Sequence, residues 1–69
     1  MDHHKIELKQ KKDLLFSLSP EDVQFFKRVY LAHGEKEAAY QLYLYAESKG
    51  LETNFLYLPS LAVTIYQTP

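Results

Sequence analysis

Three histidines and nine carboxylates are the side chains with which this chain of 69 residues could catalyse a reaction or hold a metal ion. There is no cysteine to supply a thiol nucleophile or a disulfide. Gly34 and Gly50 are the two glycines, too few and too far apart for a glycine-rich phosphate loop. Most carboxylates fall at the ends or polar faces of predicted helices, where they complement helix dipoles and aid solubility. We therefore predict no catalytic site, no cofactor and no enzymatic activity.

The histidines offer one specific metal chemistry, at the N-terminus. Met1-Asp2-His3 places a histidine third after a free amino group, an arrangement that can bind Cu(II) or Ni(II) in a square plane of nitrogens. Any chain with histidine at that position has the same property, so the signal is weak. We interpret residues 1–4 as a frayed terminus and predict no metal site. His33 falls on an apolar helical arc and is interpreted as a partly buried structural side chain.

A basic stripe is the first candidate binding surface. Lys5, Lys9 and Lys12 recur at i, i+4 and i+7 in a predicted first helix over residues 5–18, and Phe16 extends the line. Such a stripe could meet phosphates or an acidic protein. The simpler interpretation is a solvated face whose lysine stems cover apolar neighbours, so nucleic acid is the less favoured partner.

Tyrosines form the second candidate surface. The chain has six of them, more than a small core can easily satisfy, because each buried hydroxyl needs a hydrogen-bond partner. Tyr40 and Leu44 share a helical face among Glu37 and Glu47, and Tyr43 is the third candidate. An apolar pair with a polar surround is typical of protein-recognition patches. The alternative is that another part of the chain covers this face.

The elements that would position these residues begin with the start of a second helix. Ser19 and Asp22 have the spacing of a capping box, and Pro20 suits the first helical position. The apolar pattern then predicts a helix over residues 20–33. Its core-facing arc comprises Val23, Phe25, Phe26, Val29, Tyr30 and His33.

Gly34 is the predicted break between this helix and a third one over residues 35–49. So short a connection implies two antiparallel helices, although one continuous helix through Gly34 is the alternative. Gly50 and Leu51 have the spacing of a Schellman motif that ends the third helix. The face predicted to pack on the aromatic arc comprises Ala38, Ala39, Leu42, Tyr45 and Ala46.

The C-terminal segment, residues 54–67, is predicted to be extended, and two short β-strands are plausible within it. Pro59 favours extended geometry at Leu58, and residues 63–66 are typical of strands. A short helix from Ser60 is the alternative. An uncharged strand at residues 61–66 would be an adhesive edge, so we predict a homodimer that covers it by strand pairing or exchange.

Together these patterns predict a mainly α fold: a small three-helix domain spanning residues 1–69, with an antiparallel helical hairpin and a short extended tail. The formal net charge of -1 gives no global attraction to nucleic acid or membranes. No signal peptide or membrane span is predicted, and we expect a cytoplasmic location. The predicted function is a non-enzymatic protein-interaction module, acting as an adaptor, antagonist or regulator. The alternative is a small nucleic-acid-associated regulator that uses the basic stripe.

Overall fold

The computed structural model of the chain describes residues 3–69. Over this range it contains four α-helices and no β-strand: α1 (His3–Ser17), α2 (Pro20–His33), α3 (Glu35–Ser48) and α4 (Leu58–Tyr66). The mainly α class is therefore confirmed, whereas the prediction of three helices is wrong. Helices α2, α3 and α4 pack against one another, and α1 joins them through a few specific contacts.

Helix α2 begins at the capping box that the sequence predicts. The backbone N–H of Asp22 donates to the Ser19 hydroxyl oxygen at 3.1 Å, and the Ser19 N–H donates to the Asp22 carboxylate at 3.0 Å. These two bonds satisfy amides that a helix start would otherwise leave unpaired. Pro20 occupies the first turn, where its missing N–H costs nothing.

Gly34 separates α2 from α3 and reverses the direction of the chain. Its φ of 94° is one that residues with a side chain rarely adopt, and its N–H donates to the Tyr30 carbonyl at 2.9 Å. The Phe26 and Tyr45 rings meet edge to face at 5.7 Å between centroids, so the two helices pack as an antiparallel hairpin. The alternative of one continuous helix is wrong.

The end of α3 forms the predicted Schellman motif. The Leu51 N–H donates to the Ala46 carbonyl at 2.9 Å and the Gly50 N–H to the Glu47 carbonyl at 3.1 Å. Gly50 has a φ of 70°, in the left-handed region that this cap requires. After this cap the chain continues as the loop of residues 49–57, which connects α3 to α4.

The prediction of an extended segment at residues 54–67 is wrong, because Leu58–Tyr66 forms α4. Leu58, Leu61, Ala62 and Ile65 recur at helical spacing, and the last three are buried. Their burial outweighs the modest preference of β-branched side chains for strands. Pro59 lies in the first turn of the helix, where it is tolerated. No strand edge exists at residues 61–66, so the reason given for a strand-paired homodimer disappears.

Helix α1 begins at His3, two residues before the predicted start, and Met1 and Asp2 lie outside the described residues. Fraying of residues 1–4 stays a prediction. The proposed Met1-Asp2-His3 nitrogen site also depends on these undescribed residues. The His3 ring lies 5.2 Å from the Phe55 ring, which ties the start of α1 to the loop of residues 49–57.

Gln10 fastens the middle of α1 to the same loop. This buried side chain donates from Nε2 to the Asn54 side-chain oxygen at 2.8 Å, and its own oxygen accepts from the Phe55 N–H at 3.0 Å. Farther along α1, the Tyr45 hydroxyl donates to the Ser17 carbonyl at 2.8 Å. Polar contacts therefore fix the position of a helix that contributes few buried apolar side chains.

The core gathers side chains from all four helices: Leu14, Phe26, Leu42, Ala46, Leu61 and Ile65. The small residues Ala38, Ala39 and Ala46 on α3 are buried, as predicted from the sequence. Phe25 and His33, which the sequence places on the core-facing arc of α2, are exposed. Phe25 lies about 100° from the buried Phe26, at the edge of the arc, whereas His33 is exposed at the last position of α2.

Two leucines of α3 provide a matched test of this core. Leu42 is fully buried, whereas Leu44 is 41% exposed. Leu42→Ala is expected to lower the free energy of unfolding by about 2–5 kcal/mol, because it removes buried atoms and leaves a cavity. Leu44→Ala should change it by less than about 1 kcal/mol. Urea denaturation followed by circular dichroism measures both, and equal losses would contradict the assigned faces.

The capping box predicts an acid-sensitive contribution to stability. The Ser19 N–H bond to the Asp22 carboxylate lowers the Asp22 pKa below 3.8, its ordinary value. The stabilisation is therefore complete above pH 3.8 and is lost as the pH falls through the lowered pKa. When the pH falls from neutral to acidic, the Asp22→Asn variant should lose less thermal stability than the unaltered chain.

The Ser19 hydroxyl gives this prediction an independent check. Ser19→Ala should destabilise the chain by about 1 kcal/mol at neutral pH, since one helix-start amide loses its acceptor. Ser60→Ala, an exposed serine near the start of α4, is the matched control. Identical effects of the two substitutions would show that the cap contributes nothing.

Candidate protein-binding face of helix α3

Tyr40, Tyr43 and Leu44 lie together on the outer side of α3, and we call this set the tyrosine face. Their exposed fractions are 55%, 41% and 41%. Spacings of three and four residues place them on one side of the helix, opposite the buried alanines. Because α4 and α2 occupy the alanine side, neither covers this surface. The alternative in which another part of the chain buries the face is wrong.

Carboxylates border the tyrosine face. Hydrogen bonding to Glu47 and its negative charge raise the Tyr43 pKa, because both favour the protonated phenol. Near the other end of α3, the Gln41 amide donates to the Glu37 carboxylate at 2.9 Å. Residues 35–52 carry four carboxylates and two lysines, so the surface is acidic overall.

Phe25 of α2 is a further exposed apolar side chain that lies near α3. It is 43% exposed and lines a shallow groove between α2 and α3 with Val29, His33, Glu37 and Gln41. The helical pattern of the sequence places Phe25 toward the core, so its exposure was not predicted. Its position next to the buried Phe26 was a signal of this exposure, because adjacent residues on a helix point about 100° apart.

The basic stripe lies on a different surface. Lys5, Lys9 and Lys12 are all exposed on α1, as the sequence spacing predicts. The Lys9 ammonium is paired with Asp13 at 2.9 Å, and the Lys12 ammonium lies 5.7 Å from the centre of the Phe16 ring. In the described residues, no hydrogen bond or ion pair joins these lysines to the tyrosine face of the same chain. Binding of the stripe to nucleic acid stays a prediction.

The titratable side chains do not converge on one point in the described part of the chain. No group of three or more His, Cys, Asp or Glu side chains among residues 3–69 is arranged to hold a metal ion. His33 is exposed, which corrects its interpretation as partly buried. The surfaces that the fold does assemble in residues 3–69 are apolar and charged patches.

None of the helices in residues 3–69 is long and apolar enough to cross a membrane. Comparison with protein-family models, curated proteins and solved structures finds no match for the chain.

The contact between Tyr43 and Glu47 is directly testable by titration. Glu47→Gln should bring the raised Tyr43 pKa down toward 10.0, because the negative charge beside the phenol is removed. Tyrosinate absorbance measured against the Tyr43→Phe chain isolates this one titration among the six tyrosines. Glu35→Gln, at the far end of α3, is the control and should leave the curve unchanged. A Tyr43 curve that does not respond to Glu47→Gln would rule out the contact.

Proposed function

We propose that this chain is a non-enzymatic protein-interaction module, which acts as an adaptor, antagonist or regulator by occupying a surface of a partner protein. The supporting observation is the exposed tyrosine face, formed by Tyr40, Tyr43 and Leu44 on the outside of a packed helix. A cytoplasmic location, expected from the sequence, belongs to the same proposal.

Tyrosine is well suited to this role. It brings a large, rigid ring and a hydroxyl to an interface at a small cost in side-chain entropy. Packing of the opposite side of α3 in the core means that the helix itself needs little rearrangement on binding.

The acidic border indicates the chemistry of the partner. Glu37 and Glu47 lie at the two ends of the face, and Glu52 follows in the adjoining loop. A partner segment with an apolar centre and flanking Lys or Arg side chains would match both features. Its charges would mainly speed association and select the partner, while the rings would supply most of the affinity.

The alternative function, nucleic-acid association through the basic stripe, has less support. Asp13 is paired with Lys9 within the stripe, so a phosphate chain following the lysines would meet a carboxylate. The net charge of -1 supplies no compensating attraction from the rest of the chain.

The proposal predicts that Tyr40→Ala combined with Leu44→Ala abolishes partner capture. Tagged chains would be used to isolate bound proteins from cells of the source organism, with quantitative mass spectrometry as the measurement. A protein that the unaltered chain retains should be depleted roughly tenfold or more by the double substitution. A tenfold depletion corresponds to a loss of about 1.4 kcal/mol of binding free energy. Circular dichroism should show an unchanged fold, because both side chains are exposed.

Leu31→Ala is the matched control for this experiment. Leu31 is 76% exposed but lies on α2, away from the tyrosine face, so its removal should leave capture intact. Interactors retained by the Tyr40/Leu44 double variant would overturn the assignment of this face.

A further inference from the structure

The outer side of α1 combines positive charge with exposed apolar groups. Five side chains define what we call the basic face: Lys5, Leu8, Lys9, Lys12 and Phe16. They span about 100° of the helix circumference, at about 100° per residue. Phe16 is 78% exposed and Leu8 is 51% exposed. These large apolar side chains are exposed and lie between lysines. They therefore favour a binding partner whose surface is both apolar and acidic.

The tyrosine face of α3 has these complementary properties. Its rings and leucine lie between Glu37 and Glu47, ten residues apart, which corresponds to about 15 Å along the helix. The basic face extends from Lys5 to Phe16, a comparable length of about 16 Å. Apolar groups can therefore meet apolar groups, and Glu37 and Glu47 can meet Lys5 and Lys12, whereas Lys9 is already paired with Asp13.

The two faces are neighbours on the molecular surface. Residues 50–54 of the loop form one depression with Tyr43 and Glu47 of α3. Part of the same loop forms a second depression with Lys9 and Asp13 of α1. The two depressions share residues 50–52, so the loop adjoins both faces. A second copy related by a two-fold axis would engage both faces at once. Such an arrangement closes on itself and uses the same pair of contacts twice.

We propose that the chain forms a homodimer in which the basic face of each copy docks on the tyrosine face of the other. The inference rests on the proposed function, because the same α3 face would become available to a partner protein when the dimer dissociates. Dimerisation would thus regulate partner binding by competition. It also differs from the strand pairing expected from the sequence, since α4 remains in the core of each copy.

A charge-swap experiment tests the dimer. One variant carries Lys5→Glu, Lys9→Glu and Lys12→Glu, and a second carries Glu37→Lys and Glu47→Lys. Sedimentation at low salt should give about twice the 8.1 kDa chain mass for the unaltered protein and a monomer for each variant alone. Mixing the two variants should restore the dimer, because every reversed face then meets an oppositely charged face.

Controls on α2 separate this effect from net charge. Arg28→Glu and Glu21→Lys alter exposed charges outside both faces and should leave the dimer intact. Circular dichroism of every variant checks that the helices persist. Raising the salt from about 0.05 M to about 0.5 M should weaken the unaltered dimer roughly tenfold, since exposed charge pairs are screened.

Two results would overturn the inference. A chain that remains monomeric at millimolar concentration has no such dimer, and variants that fail to pair on mixing do not use these faces. Titration with a labelled single-stranded RNA oligonucleotide tests whether nucleic acid, the alternative occupant, binds the basic face. RNA binding that the lysine substitutions abolish, in a chain that stays monomeric, would assign the face to nucleic acid instead.

The outcome is independent of the partner-capture experiment, because purified protein alone is measured. A monomeric chain whose Tyr40/Leu44 double variant still loses its interactor would remove the dimer and leave the proposed function. A charge-dependent dimer whose capture of other proteins is unaffected by that double substitution would support the dimer and remove the proposed function.

Discussion

Burial of side chains from all four helices in a single cluster is the constraint on which the rest of the structure depends. Leu14, Phe26, Leu42 and Ile65 come from α1, α2, α3 and α4 respectively. A chain of this size buries only about 60% of the surface of its unfolded state, and this one has no cysteine for a disulfide. Every helix must therefore contribute to the same core, and the alanines of α3 allow its neighbours to approach closely.

The orientation of α3 follows from that requirement and decides which groups remain outside. Once the alanine side is committed to the core, the opposite side carries Tyr40, Tyr43 and Leu44 to the surface. Three other tyrosines have partners within the chain: Tyr30 stacks on Tyr66 with 4.4 Å between ring centroids, and the Tyr45 hydroxyl donates to the Ser17 carbonyl. The small core therefore leaves the rings of Tyr40 and Tyr43 partly exposed on α3.

Helix α1 shows a different balance of forces. Its buried side chains within the described range are Gln10 and Leu14, so polar bonds to the loop contribute substantially to its position. A helix held along one narrow strip leaves most of its circumference in solvent, and its lysines lie there. The two surfaces with opposite charge therefore arise from the same cause, which is a core too small to cover the outer sides of α1 and α3.

Local patterns in the sequence determined the hairpin. The capping box at Ser19, the break at Gly34 and the Schellman motif at Gly50 each depend on residues close together in the chain, and all three are present. The exposed positions of Tyr40 and Leu44 also followed from helical periodicity, opposite the alanines. Local chemistry and spacing were sufficient for these features because their partners lie within a few residues.

Only the tertiary structure decided the form of residues 58–66. Their β-branched side chains favour strands locally, but the stripe that includes Leu61 and Ile65 is buried only when the segment is helical and packed on α2 and α3. Packing likewise placed Phe25 outside and joined Gln10 to Asn54, 44 residues away in the chain. Such choices depend on contacts between distant segments, and local propensities of a few tenths of a kcal/mol per residue yield to them.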